Sequence, residues 1–142
     1  MQNVKEYSIR ELSDMFQLPL STIRYYEETG ILSNIARSKS GQRIFTEIHV
    51  NRLKTICCFK NAGMTISELQ TLFSYEANEL EHLEDILLLL QHKEEDLCKQ
   101  IQQLEKARTH LRRKSHYYSD IKSCAENNLP LPQWAEYKHK YY

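Results

Sequence analysis

Ser21-Thr22-Ile23-Arg24-Tyr25-Tyr26-Glu27-Glu28-Thr29-Gly30 is the stretch on which the fold turns. Pro19 stands just ahead of it, where the first turn of a helix tolerates proline, and Gly30 supplies a C-terminal stop. Upstream, Ser8 and Glu11 have the spacing of a capping box, and Ile9, Leu12 and Phe16 recur with a helical period. Two short helices separated by a few residues predict a helix-turn-helix. The second helix carries Ser21, Thr22, Arg24, Tyr25 and Tyr26, side chains suited to base edges and phosphates.

Downstream the pattern changes. Residues 35–45, Ile35 to Phe45, set β-branched ends around a polar, basic centre with Gly41, which predicts a β-hairpin. Arg37, Lys39 and Arg43 give it the charge of a wing that lies on a phosphate backbone. A third helix is expected from Thr46, carrying Val50, Leu53, Ile56, Cys57 and Ala62 and ending near Gly63. Thr65 and Glu68 form a second capping box, opening a fourth helix with Leu69, Leu72 and Phe73 on its inner face.

From about Asn78 the periodicity lengthens. Leu83, Leu87, Leu90, Glu94, Leu97, Ile101, Leu104, Arg108 and Leu111 follow the alternating four-and-three spacing of a heptad seam. No Gly or Pro interrupts residues 79–118, so one helix of roughly 60 Å is expected, at about 1.5 Å per residue. A lone helix with such a stripe leaves it wet, which implies a partner. Beyond residue 118 the periodicity fades into a breaker-rich tail, Asn127-Asn128-Leu129-Pro130-Leu131-Pro132, followed by Trp134, Tyr137 and Tyr141-Tyr142.

Charge and cysteine content narrow the classes further. The 142 residues carry 19 basic and 19 acidic groups, but the balance is uneven along the chain. Residues 1–62 hold nine Lys/Arg against six Asp/Glu, a mildly basic head suited to phosphates. The N-terminus lacks the apolar core of a signal peptide, and the longest apolar run, Ile86 to Leu90, is too short to span a bilayer. A cytoplasmic protein with no membrane partner is the expectation. Cys57, Cys58, Cys98 and Cys124 are scattered and make no disulfide framework. No glycine-rich phosphate loop, metal-ligand spacing or nucleophile–base pair points to an enzyme, a metal site or a cofactor.

Three segments together resemble the MerR family of regulators. They are Tyr7-Ser8-Ile9-x-Glu11-Leu12, then Thr22 to Glu27 with Gly30-Ile31-Leu32, then Arg37-x-x-x-Gly41-x-Arg43-x-Phe45. The likeness continues through Gly63-Met64-Thr65-Ile66-x-Glu68-Leu69 and the long helix, over about the first 118 residues. It implies a mainly α protein: a winged helix-turn-helix head followed by a long antiparallel coiled-coil dimerisation helix. The corresponding domains are residues 1–75 for DNA binding, 76–118 for dimerisation and 119–142 as a C-terminal tail and possible effector region. Family members act as dimers on double-stranded promoter DNA. They bend and untwist an overlong spacer so that RNA polymerase engages both promoter elements. By this resemblance Ser21, Thr22, Arg24, Tyr25, Tyr26, Arg37, Lys39 and Arg43 contact DNA. Leu83, Leu87, Leu90, Leu97, Ile101, Leu104 and Leu111 pair the homodimer. Four positions depart from the usual pattern: Arg10 and Gln17 replace glycines, Pro19 a capping serine, and Ser33 a proline. An unchanged turn would require Gln17 to adopt a positive φ.

The effector is written less plainly. Ile56-Cys57-Cys58-Phe59-Lys60-Asn61-Ala62-Gly63 is similar to the third helix of the branch that responds to aldehydes and nitrosative stress. Alignment on Ala62-Gly63 puts Cys58 at the sensor thiol, although a packed, inert cysteine is the competing reading of that residue. Metal-sensing relatives carry a close cysteine pair after the long helix, where this chain has only Cys124, with His110 and His116 upstream. A metal-responsive regulator therefore stays an alternative. So does a coiled-coil scaffold that binds protein instead of DNA, but that reading leaves the Arg-Tyr-Tyr helix and basic hairpin unexplained.

Overall fold

A computed structural model describes residues 3–142; Met1 and Gln2, at the start of the head as bounded from sequence, lie outside it. The order is β1 (Glu6–Tyr7), α1 (Ile9–Phe16), α2 (Leu20–Glu28), β2 (Ala36–Arg37), β3 (Arg43–Thr46), α3 (Glu47–Asn61), α4 (Ile66–Glu76) and α5 (Leu83–Glu126). Two compact units result, one up to Lys93 and one from Glu94 to Tyr142.

The head forms around a single cluster. Ser8 caps α1 by accepting from the Glu11 amide, while the Glu11 carboxylate accepts from the Ser8 amide, so the expected box is present. At the turn to α2, Gln17 sits in the left-handed region at φ 52°, and its neighbour's amide donates to the Ser13 carbonyl at 3.1 Å. The residue at this turn thus tolerates the strain that glycine would avoid, and its own amide side chain helps by donating to the Asp14 carbonyl at 2.7 Å. Leu12, Ile23, Leu32, Phe45, Leu53, Ile56, Leu69 and Leu72 fill the interior of the cluster.

The hairpin is part of a three-stranded antiparallel sheet in the order β1-β3-β2. Tyr7 pairs with Phe45 on one side of β3, and Arg37 pairs with Arg43 on the other. A two-residue strand such as β1 has no periodicity to read, which is why only a hairpin is expected from sequence. The Tyr7 hydroxyl donates to the Glu47 carboxylate at 2.8 Å, tying this strand to the start of α3. A histidine completes the junction. His49 Nδ1 accepts from the Thr46 amide at 2.9 Å, so the ring proton lies on Nε2, 2.9 Å from the Ser33 carbonyl. His49 is buried and meets Phe45 edge-on.

Helix α5 begins five residues later than Asn78, after a 3₁₀ turn at Glu79–Glu81. Its first turns lay Ile86, Leu89 and Leu90 against the head cluster, and the Lys93 ammonium meets the Glu68 carboxylate at 2.9 Å. That ion pair, with the Thr65 cap, holds the Glu68 carboxyl below its usual range.

The far end corrects the sequence reading. Helix α5 continues past residue 118 to Glu126, because nothing from Ser119 to Glu126 breaks a helix even though the apolar period lapses there. It stops where Asn128 turns left-handed at φ 54° and the Leu129 amide returns to the Cys124 carbonyl at 2.8 Å. Within this second unit the remaining tail folds back along the helix. Trp134 stands edge-on to His110 and Tyr117 and receives the Lys114 ammonium over its face at 3.9 Å. Tyr142 stacks on His116 at 3.8 Å, and Arg112 and Arg113 donate to the Tyr142 and Lys140 carbonyls. Tyr137 is buried and donates its hydroxyl to Asp120.

Candidate nucleic-acid interface

Helical period sorts the side chains of α2. Ile23 and Tyr26, three apart, point into the core, while Ser21, Arg24 and Tyr25 face out and Thr22 is half-buried. Tyr25 is 48% exposed and Tyr26 only 7%. The placement of Tyr26 among DNA-contacting residues is therefore corrected: it packs with the head cluster, and burial raises its phenol pKa, with Cys57 adding to the rise. Of the two adjacent tyrosines, Tyr26 shares the buried face with Ile23 and Tyr25 does not.

The wing's arginines are also not free. The Glu27 carboxylate accepts from Arg43 Nε at 2.8 Å and from an Arg37 terminal nitrogen at 3.2 Å, joining α2 to both hairpin strands. Arg37 additionally donates to the Gly41 carbonyl at 3.1 Å. The turn is closed by the Gly41 amide on the Ser38 carbonyl, with Gly41 at φ 85°, a conformation that suits glycine. Lys39 is exposed at the tip. Glu27 thus fixes the angle between helix and wing, a role that sequence reading missed; an acidic residue between basic ones was the available signal.

A cleft of about 510 Å³ opens between α1, α2 and the wing, lined by Ile9, Arg10, Arg24, Gly41, Gln42 and Arg43. Arg24 and Arg43 are the expected members of this face. Arg10 enters the sequence reading only as a departure from a family pattern.

The cysteines of α3 separate by exposure. Cys57 is half-buried and burial pushes its thiol pKa up, whereas Cys58, one position on, is exposed. The seam of α5 divides as well. Leu83, Leu87, Ile101, Leu104 and Leu111 are exposed, while Leu90 and Leu97 are half-buried, Leu90 against the head cluster. Among the described residues no three His, Cys, Asp or Glu side chains converge as metal ligands, and no helix is long and apolar enough to cross a membrane.

Comparison with known proteins gives a consistent picture. A sequence profile of MerR HTH family regulatory proteins matches residues 7–76, and one described as MerR, DNA binding, matches residues 50–114. An uncharacterized HTH-type transcriptional regulator of Haemophilus influenzae is 24% identical over 131 residues, 92% of this chain and 97% of the relative. A ZntR homolog from the same species, an HTH-type transcriptional regulator, is 30% identical over 95 residues, 67% of each chain. Among solved structures, HiNmlR is a MerR family regulator lacking the sensor domain and bound to promoter DNA. It shares the fold with a TM-score of 0.77 at 24% identity, over 90% of this chain and 100% of its own.

Proposed function

From the premise that this chain belongs to the MerR family of helix-turn-helix regulators and is a DNA-binding transcription regulator, we propose that it acts as a cytoplasmic homodimer on a promoter spacer. One observation carries this reading: Glu27 locks the wing to α2 and leaves Ser21, Arg24 and Tyr25 outward beside the basic cleft. A rigid helix-plus-wing unit can enter a major groove while gripping its flanks. The exposed leucines of α5 support pairing through an antiparallel coiled coil, which would present two such heads to a pseudo-palindromic site. Bending and untwisting that site would let RNA polymerase engage both promoter elements, against a deformation energy of order 1–6 kcal/mol.

The switch we propose is modification of Cys58. Its exposure on α3 keeps an electrophile's path open, and a thiol is the side chain such a reagent attacks. Footprinting on the protein's own upstream DNA, with and without an aldehyde or quinone, tests both parts. Protection of a dyad whose central distortion changes on modification, and no longer changes in Cys58→Ser, is the expected result. Protection indifferent to modification removes the thiol switch and keeps the regulator. No protection at any salt favours the protein-binding scaffold.

A further inference from the structure

The three arginines of the cleft are not equivalent. Arg43 is paired with Glu27, but Arg10 and Arg24 enter no ion pair among the described residues, and both are exposed. Both nevertheless line the same cleft, together with Gly41 and Gln42. Like charges brought to one cleft repel, so the arrangement is relieved when an anion lies between them. Glu11, the acidic side chain of the first turn of α1, is occupied by its own capping box. It therefore leaves the Arg10 guanidinium available.

We propose that Arg10 is a DNA-binding residue that, with Arg24, clamps a backbone phosphate of the duplex. The proposal rests on α2 being the recognition helix. In a helix-turn-helix the first helix crosses the sugar–phosphate backbone while the second enters the groove, and Arg10 stands in the first turn of α1. Its side chain is thus assigned to phosphate and not to a base edge. A guanidinium presents paired donors that match two phosphate oxygens, with which a lysine would make only a point contact.

The test is fluorescence anisotropy with two labelled duplexes of equal length, one from the protein's own upstream region and one of random sequence, over a range of salt. Because a dimer loses the contact in both heads, Arg10→Ala should lower the slope of log affinity against log salt by about 1.8, at about 0.9 for each lost phosphate contact. It should also weaken both duplexes alike, by about tenfold for each head and so about a hundredfold for the dimer, since phosphate contacts carry no sequence information. Arg10→Lys should keep the slope. Thermal melting identical to wild type shows that the variants fold. An unchanged slope and affinity in Arg10→Ala, alongside weakened binding of both duplexes in Arg24→Ala, overturns the Arg10 assignment and leaves the regulator reading intact. A loss confined to the upstream duplex overturns it in favour of a base contact. Failure of the wild type to bind either duplex at low salt removes the recognition helix and this proposal together.

Discussion

The head and the long helix carry the same kind of residue at the same kind of spacing, and they use it differently. Leu53 of α3 is 0% exposed, surrounded by its own chain, whereas Leu104 of α5 is 69% exposed. Periodicity says that a helix has an apolar stripe; only the fold says whether that stripe is already covered. The head closes its cluster with four short helices and three strands. Helix α5 leaves its seam bare after Leu90, with only Leu97 half-buried among the later members. Two consequences differ in kind: damage in the head should unfold the chain, and damage in the seam should separate chains.

The largest effect belongs to the head. Phe45 is fully buried, pairs with Tyr7 across the sheet and stands edge-on to His49 at 5.6 Å between ring centres. Phe45→Ala should cost about 3–5 kcal/mol, a large share of the roughly 5–15 kcal/mol that holds a domain folded. Urea unfolding followed by circular dichroism measures it. A loss under about 1 kcal/mol would mean that the interior repacks freely, and the contrast with α5 would collapse.

The seam should behave otherwise. Leu104→Ala removes a side chain with little packing in its own chain, so helix content should be retained. If the seam pairs two chains, each lost leucine forfeits roughly 1.5–3 kcal/mol of burial, and two-fold symmetry applies the loss twice. Sedimentation equilibrium should then show a dimer weakened by about a hundredfold or more. An unchanged dimer would move the interface elsewhere, and a monomeric wild type would leave the stripe without this partner.

The same contrast explains what could be read before the structure. The capping boxes at Ser8 and Thr65, the left-handed Gln17, the hairpin around Gly41 and the heptad seam are local signals, set by neighbours in the chain, and they were legible. Three features depend on distant residues and were not. Strand β1 exists because Tyr7 finds Phe45. Tyr26 leaves the interface because the core needs a side chain there. Glu27 braces the two wing arginines, Arg37 and Arg43, against α2. The end of α5 was missed for another reason: apolar spacing lapses after residue 118, but helix propensity continues to Glu126.

The smallest expected effect lies in the tail, where the second unit covers part of α5 with its own chain. Tyr137 donates to the Asp120 carboxylate, and that hydrogen bond, aided by burial, pushes its phenol from an ordinary 10.0 up to about 12. Because the protonated phenol is the donor, the contribution to docking is fully present below about pH 10 and is lost as pH climbs through 12. An ultraviolet titration of the nine tyrosines should therefore contain a late-ionising phenol that disappears in Tyr137→Phe. At neutral pH the same variant should loosen the tail enough to speed trypsin cleavage after Lys138 and Lys140, with the helix content unchanged. Identical titration and cleavage in both proteins would mean that Trp134 on Lys114 and Tyr142 on His116 hold the tail without Tyr137. The covered part of α5 would then depend on those ring contacts and on the Arg112 and Arg113 hydrogen bonds to the tail's carbonyls, and its contrast with the bare seam would rest on them.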